Sequence, residues 1–386
     1  MSREFDIVVH GATGFTGKLV AEYLAARGCG RPWAISGRSA EKLEAVKAEL
    51  GIDVPAIVAD ASDPASLAAL AARTRVVITT VGPYLKYGAG LVAACAEAGT
   101  DLVDLCGEPP FMARMIEAHG ARAKETGARI VHSCGFDSVP FDLGVLMLQE
   151  AAKARFGAYA PRVKGRVRKM KGAFSGGTAA SSAETTKLAM TDPAVRAALL
   201  DPFALCEGQA GPRQPHGGKP QEDEALGAWV APFVMAIINT KNVHRSHFLM
   251  GRPWGEGFAY DEMLVTGPGE KGRAIAEGVA KAPPMGAEPN APKPGEGPSK
   301  EERETGFYDL LFIGEWPDGR RLDLSVKGDR DPGYGSTSKM IAECALALLE
   351  EAAGREGGVL TPAAAFGPAL AARLEAHAGL KFAVES

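Results

Sequence analysis

Phe5-Asp6-Ile7-Val8-Val9-His10 runs into Gly11-Ala12-Thr13-Gly14-Phe15-Thr16-Gly17, and Lys18-Leu19-Val20-Ala21-Glu22-Tyr23-Leu24 follows with a helical pattern. A second apolar run, Trp33-Ala34-Ile35-Ser36, stops at Gly37-Arg38-Ser39. Strand, glycine turn, helix and strand in that order build a dinucleotide site. Gly11 lets the chain leave the strand at dihedrals that a side chain resists. Gly14 has no Cβ to hold a pyrophosphate off the backbone, and Gly17 lets the helix lie close on the strand. The helix start then offers unpaired N–H groups and a positive dipole end to phosphates. Ala12, Thr13, Phe15 and Thr16 complete the turn as coenzyme contacts. The spacing is GxxGxxG rather than the stricter GxGxxG, so the flanking strand and helix carry the assignment.

An NAD site ends its second strand in Asp or Glu, which bonds the ribose 2′-OH. Here Arg38 stands at that place beside Ser39. A guanidinium next to a hydroxyl suits a 2′-phosphate through charge-assisted hydrogen bonds, so NADP(H) is the expected cofactor. Ser39 also reads as the N-cap of the helix it opens, and the two roles are compatible.

A chain of 386 residues suggests two domains. Hydrophobic content of 46% and charged content of 23% are those of a soluble globular protein. A net charge of −4 without any Lys/Arg block gives no reason to expect a nucleic-acid partner. The six cysteines form no CxxC pair and no zinc-like cluster, so no metal is expected and the thiols read as reduced and cytoplasmic. Met1-Ser2-Arg3-Glu4-Phe5-Asp6 does not read as a signal peptide, and no apolar run approaches the ~20 residues of a membrane span.

Strand–helix alternation continues through Ala56–Asp60, Arg75–Val81, Asp101–Leu105 and Arg129–Cys134, with helical stretches Pro64–Ala72, Gly88–Ala98 and Pro110–Thr126 between them. Six strands predict an α/β, Rossmann-type doubly wound parallel sheet over residues 1–142. Asp60, ending the third strand, is counted among the coenzyme contacts. Residues 143–334 read as a second α+β domain on a mainly antiparallel sheet, with strands at Val163–Phe174, Trp229–Asn239, Phe258–Val265, Gly306–Trp316 and Arg320–Lys327. The Pro/Gly-rich stretch near 281–300 reads as an excursion from that sheet. Residues 335–386 return to helix, expected to pack back on the first domain.

Five segments together resemble the saccharopine dehydrogenase-like oxidoreductases, in their trans-acting enoyl reductase branch. They are Gly11–Gly17, Val81-Gly82-Pro83-Tyr84, Asp104-Leu105-Cys106-Gly107-Glu108, His132–Pro140 and Gly328–Lys339. The resemblance implies an NADP-binding Rossmann domain, a second α+β domain, and reductase chemistry in lipid or polyketide metabolism, with membrane association common among related proteins. It does not imply saccharopine as the substrate.

Ligands of such a sheet bind outside the carboxyl ends of its strands, where these segments fall. Val81, Gly82 and Pro83 form a turn that lets a coenzyme approach the backbone. Tyr84 borders the nicotinamide or substrate, or packs over the sheet. Lys86 is a possible ligand for an acidic substrate group, or a solvated lysine. Gly107 and Glu108 follow the fifth strand; Glu108 fixes a ribose hydroxyl, acts as an acid, or meets a helix dipole. His132 and Cys134 share one strand face with no base oriented on either, which argues against a covalent cysteine. Asp137 closes the nicotinamide pocket or caps the next helix.

The Tyr/Lys pair of short-chain dehydrogenases is missing: Tyr23 meets Arg27, Tyr87 meets Leu91, and Tyr334 meets Ser338 at the required offset. Hydride transfer needs no covalent residue, only near-attack placement in a dry pocket. Ser175–Thr178 opens a helix able to receive an anionic group. Asn239, His244 and His247 are expected at a strand end. Tyr334, where the sheet joins the returning helix, is the second-domain candidate for proton donor, beside Tyr84 and Asp137.

The expected function is NADPH-dependent hydride transfer to an enoyl, keto or imine group of an apolar, lipid-like small molecule. One alternative is a non-enzymatic NADP sensor or membrane-associated scaffold. The other is saccharopine-type C–N reduction, which needs arginines for two carboxylates; Arg166, Arg168 and Arg245 are present without evident clustering. Peripheral membrane contact and a homodimer are compatible with this reading.

Overall fold

The computed structural model describes residues 3–283, 292–293, 295–351, 354 and 356–385. The first unit alternates β1 (Phe5–His10), α1 (Phe15–Arg27), β2 (Trp33–Gly37), α2 (Ala40–Leu50), β3 (Ala56–Val58), α3 (Pro64–Arg73) and β4 (Thr74–Thr79). It continues through α4 (Tyr84–Tyr87), α5 (Ala89–Ala98), β5 (Asp101–Asp104), α6 (Pro109–Thr126), β6 (Arg129–Val131) and α7 (Val139–Phe156). These strands lie in the order β6-β5-β4-β1-β2-β3, all parallel. Order reverses between β1 and β4, so the crevice for a ligand opens above their carboxyl ends. Strand pleating sends Ile7, Val76, Val103 and Val131 into one core cluster, and Val8, Val77, Leu102 and Ile130 into another. Both faces are thus buried, as a parallel sheet requires.

The second unit comprises β7 (Arg162–Lys171), α8 (Gly176–Thr191), α9 (Pro193–Leu200), β8 (Gln221–Asp223), β9 (Ala228–Pro232), α10 (Ala236–Leu249), β10 (Ala259–Gly267) and α11 (Gly269–Ala280). Then come α12 (Lys300–Thr305), β11 (Phe307–Glu315), β12 (Arg321–Gly328) and a single π turn, Pro332–Ser336. The sheet is mixed: β7 and β10 pair in parallel and the other neighbours antiparallel. Its buried face joins the first unit's core through Phe141, Phe233 and Phe312.

Several expectations need correction. The first strand of this sheet stops at Lys171 rather than Phe174. The apolar run expected as a strand to Asn239 is a strand only to Pro232; from Ala236 it is helix. Helix α8 begins at the Ser175–Thr178 stretch read as opening a helix, and α9 and α11 add further helices between the strands. Part of the Pro/Gly-rich excursion, residues 284–291 and 294, lies outside the described residues.

The tail is more than returning helices. Helix α13 (Thr337–Glu350) packs on α1, β4 and β5. Next, β13 (Gly358–Leu360) adds a seventh parallel strand beside β6. After α14 (Pro362–Phe366) and α15 (Pro368–His377), β14 (Leu380–Val384) completes the second sheet beside β12. The tail therefore edges both sheets. A fully buried carboxylate secures it: Glu343 accepts from Tyr23 Oη at 2.6 Å, Arg27 Nε at 3.0 Å and Arg373 Nε at 2.6 Å. Three partners on two other helices, α1 and α15, satisfy a charge that would otherwise cost several kcal/mol to bury, on the order of 3–5.

A candidate coenzyme crevice closed by the second domain

The glycine turn has the geometry that its chemistry needs. Gly11 adopts φ +92°, and a Cβ there would meet Thr80 Oγ1 and Val81 Cγ2 at 2.8 Å. A Cβ on Gly17 would lie 2.2 Å from Gly11 O, so α1 rests directly on the turn. Gly14 caps α1 without any side chain over its first N–H groups, and above its Cα the nearest neighbour is Gly11 O at 3.3 Å. This open cradle fits a pyrophosphate. Arg38 is exposed at the end of β2, and no hydrogen bond or ion pair holds its guanidinium among the described residues. It is free to take a 2′-phosphate. Ser39 caps α2, accepting from Lys42 N at 3.3 Å. Asp60 closes its own turn by accepting from Ser62 N and Oγ, and those bonds hold its carboxyl below the usual range.

The second domain reaches this turn through Phe15. Its ring meets Tyr334 edge-on at 5.2 Å, lies under the Arg303 guanidinium at 5.6 Å, and packs against Gly297. The Tyr334 hydroxyl is met by Ser175 N at 2.5 Å and bonds Thr178 Oγ1 at 2.7 Å. The π turn that carries it is pinned by Asp331, which accepts from Tyr334 N and Gly335 N. Burial raises the Tyr334 phenol, opposed by its bonds to Ser175 and Thr178. Ser175 caps α8, and Ser181 on that helix lies over Gly82.

Tyr84 does not face the crevice as a donor. Its buried hydroxyl donates to Thr79 O at 3.2 Å and accepts from Leu105 N at 3.1 Å, tying β4 to the loop after β5. Burial lifts this phenol well above its ordinary range. Glu108 is likewise spent: it accepts from Tyr84 N at 2.9 Å and Leu85 N at 2.8 Å, capping α4 rather than its own helix. Both bonds lower its carboxyl, but burial prevails and raises it.

His132 does have an oriented carboxylate, contrary to the expectation. Its Nδ1 lies 2.6 Å from Asp104 Oδ2, while Asp104 Oδ1 accepts from Cys106 N and Ser133 N. This fully buried pair ties the ends of β5 and β6. Cys134 is buried and its thiol is pushed well up by burial, which removes it as a nucleophile.

Asp137 is different. Its Oδ2 lies 3.5 Å from the position of a Cβ on Gly107, and no hydrogen bond or cation reaches the carboxyl among the described residues. Burial alone raises it to about 7. It is a half-buried acid at a strand end, protonated in part near neutrality. The adjoining Ser138 is fully buried and accepts from Asn242 Nδ2 at 2.7 Å.

Asn239, His244 and His247 lie on α10 and are buried, not at a strand end. Burial lowers His244 to about 3 and His247 to about 4, so both stay neutral. Sequence reasoning missed Asn242 and Glu262, which carry no motif. The one available signal was the alternation of β10, which puts Glu262 on the face of Tyr260. Among the described residues no group of His, Cys, Asp or Glu could hold a metal, and no helix is long and apolar enough to cross a membrane.

Comparison with known proteins agrees with this geometry. The saccharopine dehydrogenase NADP binding domain family matches residues 7–131. A Mycobacterium tuberculosis protein named trans-acting enoyl reductase is 39% identical over 401 residues, covering 96% of each chain. A second from that organism, provisionally given the same name, is 44% identical over 402 residues, covering 97% of this chain and 96% of its own.

The chain belongs to the trans-acting enoyl reductase family of saccharopine dehydrogenase-like proteins.

Saccharopine dehydrogenase (L-Glu forming) from Saccharomyces cerevisiae shares the fold, with TM-score 0.51 and 13% identity over 99% of this chain and 100% of that one. Membership in the family makes the protein an NADP(H)-binding oxidoreductase with a small-molecule substrate. The cradle, the free Arg38 and the strand-end crevice fit that coenzyme.

Proposed function

We propose that this protein is an NADPH-dependent enoyl reductase, acting on an apolar substrate whose double bond is conjugated to a carbonyl. Gly11 to Gly17 would hold the pyrophosphate, Arg38 and Ser39 the 2′-phosphate, and Val81, Gly82, Pro83 and Gly107 would border the nicotinamide end. Asp60 would line the adenosine side. When bound, the coenzyme supplies the hydride. The chain's own task is to exclude water, orient the acceptor and deliver one proton. The observation that carries this reading is Asp137, an unpartnered carboxyl at the crevice held near 7 by burial. Such a group is protonated in part near neutral pH, and in that form gives its proton to a developing enolate. Tyr334, polarised by Ser175 N–H and Thr178, would orient the carbonyl oxygen.

The three arginines named for the saccharopine-type alternative are committed to other groups. Arg166 is spent on Asp223 and Asp261, Arg168 on Asp309 and Glu385, and Arg245 on the carbonyls of Leu205 and Val359. The test is NADPH oxidation with a panel of 2-enoyl thioesters, with mass spectrometry of the saturated product. Binding of NADPH without turnover of any enoyl, keto or imine compound would favour the sensor or scaffold instead.

A further inference from the structure

Behind Asp137 lies a second buried acid. Glu262, in β10, is 1% exposed. Its Oε1 accepts from Tyr260 Oη at 2.8 Å and its Oε2 from Asn239 Nδ2 at 2.9 Å. Neither partner is a cation. Arg166, on the adjacent strand β7, serves Asp223 and Asp261, and Asp261 points to the other face of β10. One helical turn after Asn239, Asn242 holds Ser138, the residue bonded to Asp137. The two asparagines share a face of α10. Each is fully buried, and each keeps an unpartnered carboxamide oxygen among the described residues. Buried acceptors in that state are met by ordered water.

We propose that Glu262 is the proton store of this site, replacing the proton that Asp137 delivers through water held by the Asn239 and Asn242 carbonyls. The inference rests on the reductase reading above. In one turnover the substrate gains a hydride and a proton. The Asp137 O–H bond breaks, then re-forms as the Glu262 O–H bond breaks. Glu262 recovers its proton from solvent, so the reaction consumes one NADPH and one proton.

Electrostatics agree with the placement. Burial raises Glu262 to about 8; its bonds to Asn239 and Tyr260 oppose this, and the charges of Asp261 and then Asp137 add to it. Asp137 is itself felt at Tyr334 and Cys106. Values of about 7 and about 8 are close enough for a proton to pass between the two acids at small cost. Glu262 acts through Asp137 and is a positioning residue in this scheme.

The experiment is an infrared pH titration of the coenzyme-free protein, comparing wild type with Glu262→Gln and Asp137→Asn. Wild type minus Glu262→Gln should show one carboxylic acid titrating near 8. In Asp137→Asn that same midpoint should fall, because a like charge is gone. With NADPH and an enoyl thioester, Glu262→Gln should lower kcat roughly tenfold, less than the ~100-fold or more expected for losing the direct donor, with KM within about twofold. Its alkaline limb should move from near 8 toward 7. A Glu262 carboxyl already ionised at pH 6, or a Glu262→Gln variant with unchanged kcat and pH profile, would overturn the proposal. Should that variant not fold, a Glu262 midpoint unmoved by Asp137→Asn overturns it alone. Coupled titrations without turnover count against the reductase reading only; turnover with uncoupled titrations counts against the proton store only.

Discussion

Replacing Arg38 by alanine tests the coenzyme assignment where it depends on one side chain. The guanidinium stands exposed at the end of β2; its charge is felt at Asp60, but no hydrogen bond or ion pair holds it among the described residues. Removing it therefore breaks no internal bond, and the fold should tolerate the change within about 0.5 kcal/mol. Its contribution to binding would come from charge-assisted hydrogen bonds to a 2′-phosphate. Such bonds are worth about 1.5–3 kcal/mol each, and solvent exposure places this one at the lower end. A loss of ~1.5–2 kcal/mol is about 10–30-fold in Kd for NADPH. NADH has no 2′-phosphate, so its Kd should change by less than about twofold on the same scale. Calorimetric titration of both coenzymes against both proteins reads the ratio directly. Higher salt should shrink the wild-type preference, because an exposed ion pair is screened. Equal weakening of both coenzymes, or an unchanged Kd for NADPH, would refute the argument.

Other outcomes follow from the same geometry. Gly17→Ala puts a Cβ 2.2 Å from Gly11 O, a backbone atom with nowhere to move; it should cost about 1–3 kcal/mol in denaturant melts and abolish binding of both coenzymes. Asp137→Asn should make stability less dependent on pH. The wild-type carboxyl titrates near 7 folded and near its ordinary value unfolded, so wild type loses stability as pH rises from about 4 to 7; the variant should gain up to ~4 kcal/mol over it at pH 8 and nothing at pH 4, by chemical denaturation. Tyr84→Phe and Tyr334→Phe should separate: the first costs about 1–2 kcal/mol of stability with kcat nearly kept, the second lowers kcat at nearly constant stability.

The crevice was legible where chemistry demands a fixed local pattern. Gly11, Gly17 and Arg38 sit where their spacing placed them, because a βα turn is a short-range structure whose constraints lie within a few residues. The residues around Asp137 were not legible. Asn242 approaches Ser138 from 104 positions away, and Glu262 belongs to a strand of another sheet. For Tyr84 and Glu108 the sequence left a site role and a structural role open; the structure gives both the structural one, through nearby backbone groups that sequence spacing does not reveal. Helix α10 was misread because its apolar start, Ala236-Ile237-Ile238, is short enough to suit either strand or helix.

The sequence by itself determined the Rossmann half, its glycine cradle and its preference for a phosphorylated ribose, since each depends on neighbours along the chain. Only the tertiary structure decided which acids are free. Whether a carboxyl is capped, paired or left facing a crevice depends on groups brought to it by other strands and helices. Burial then sets its proton affinity, and burial belongs to the whole fold rather than to any segment of it.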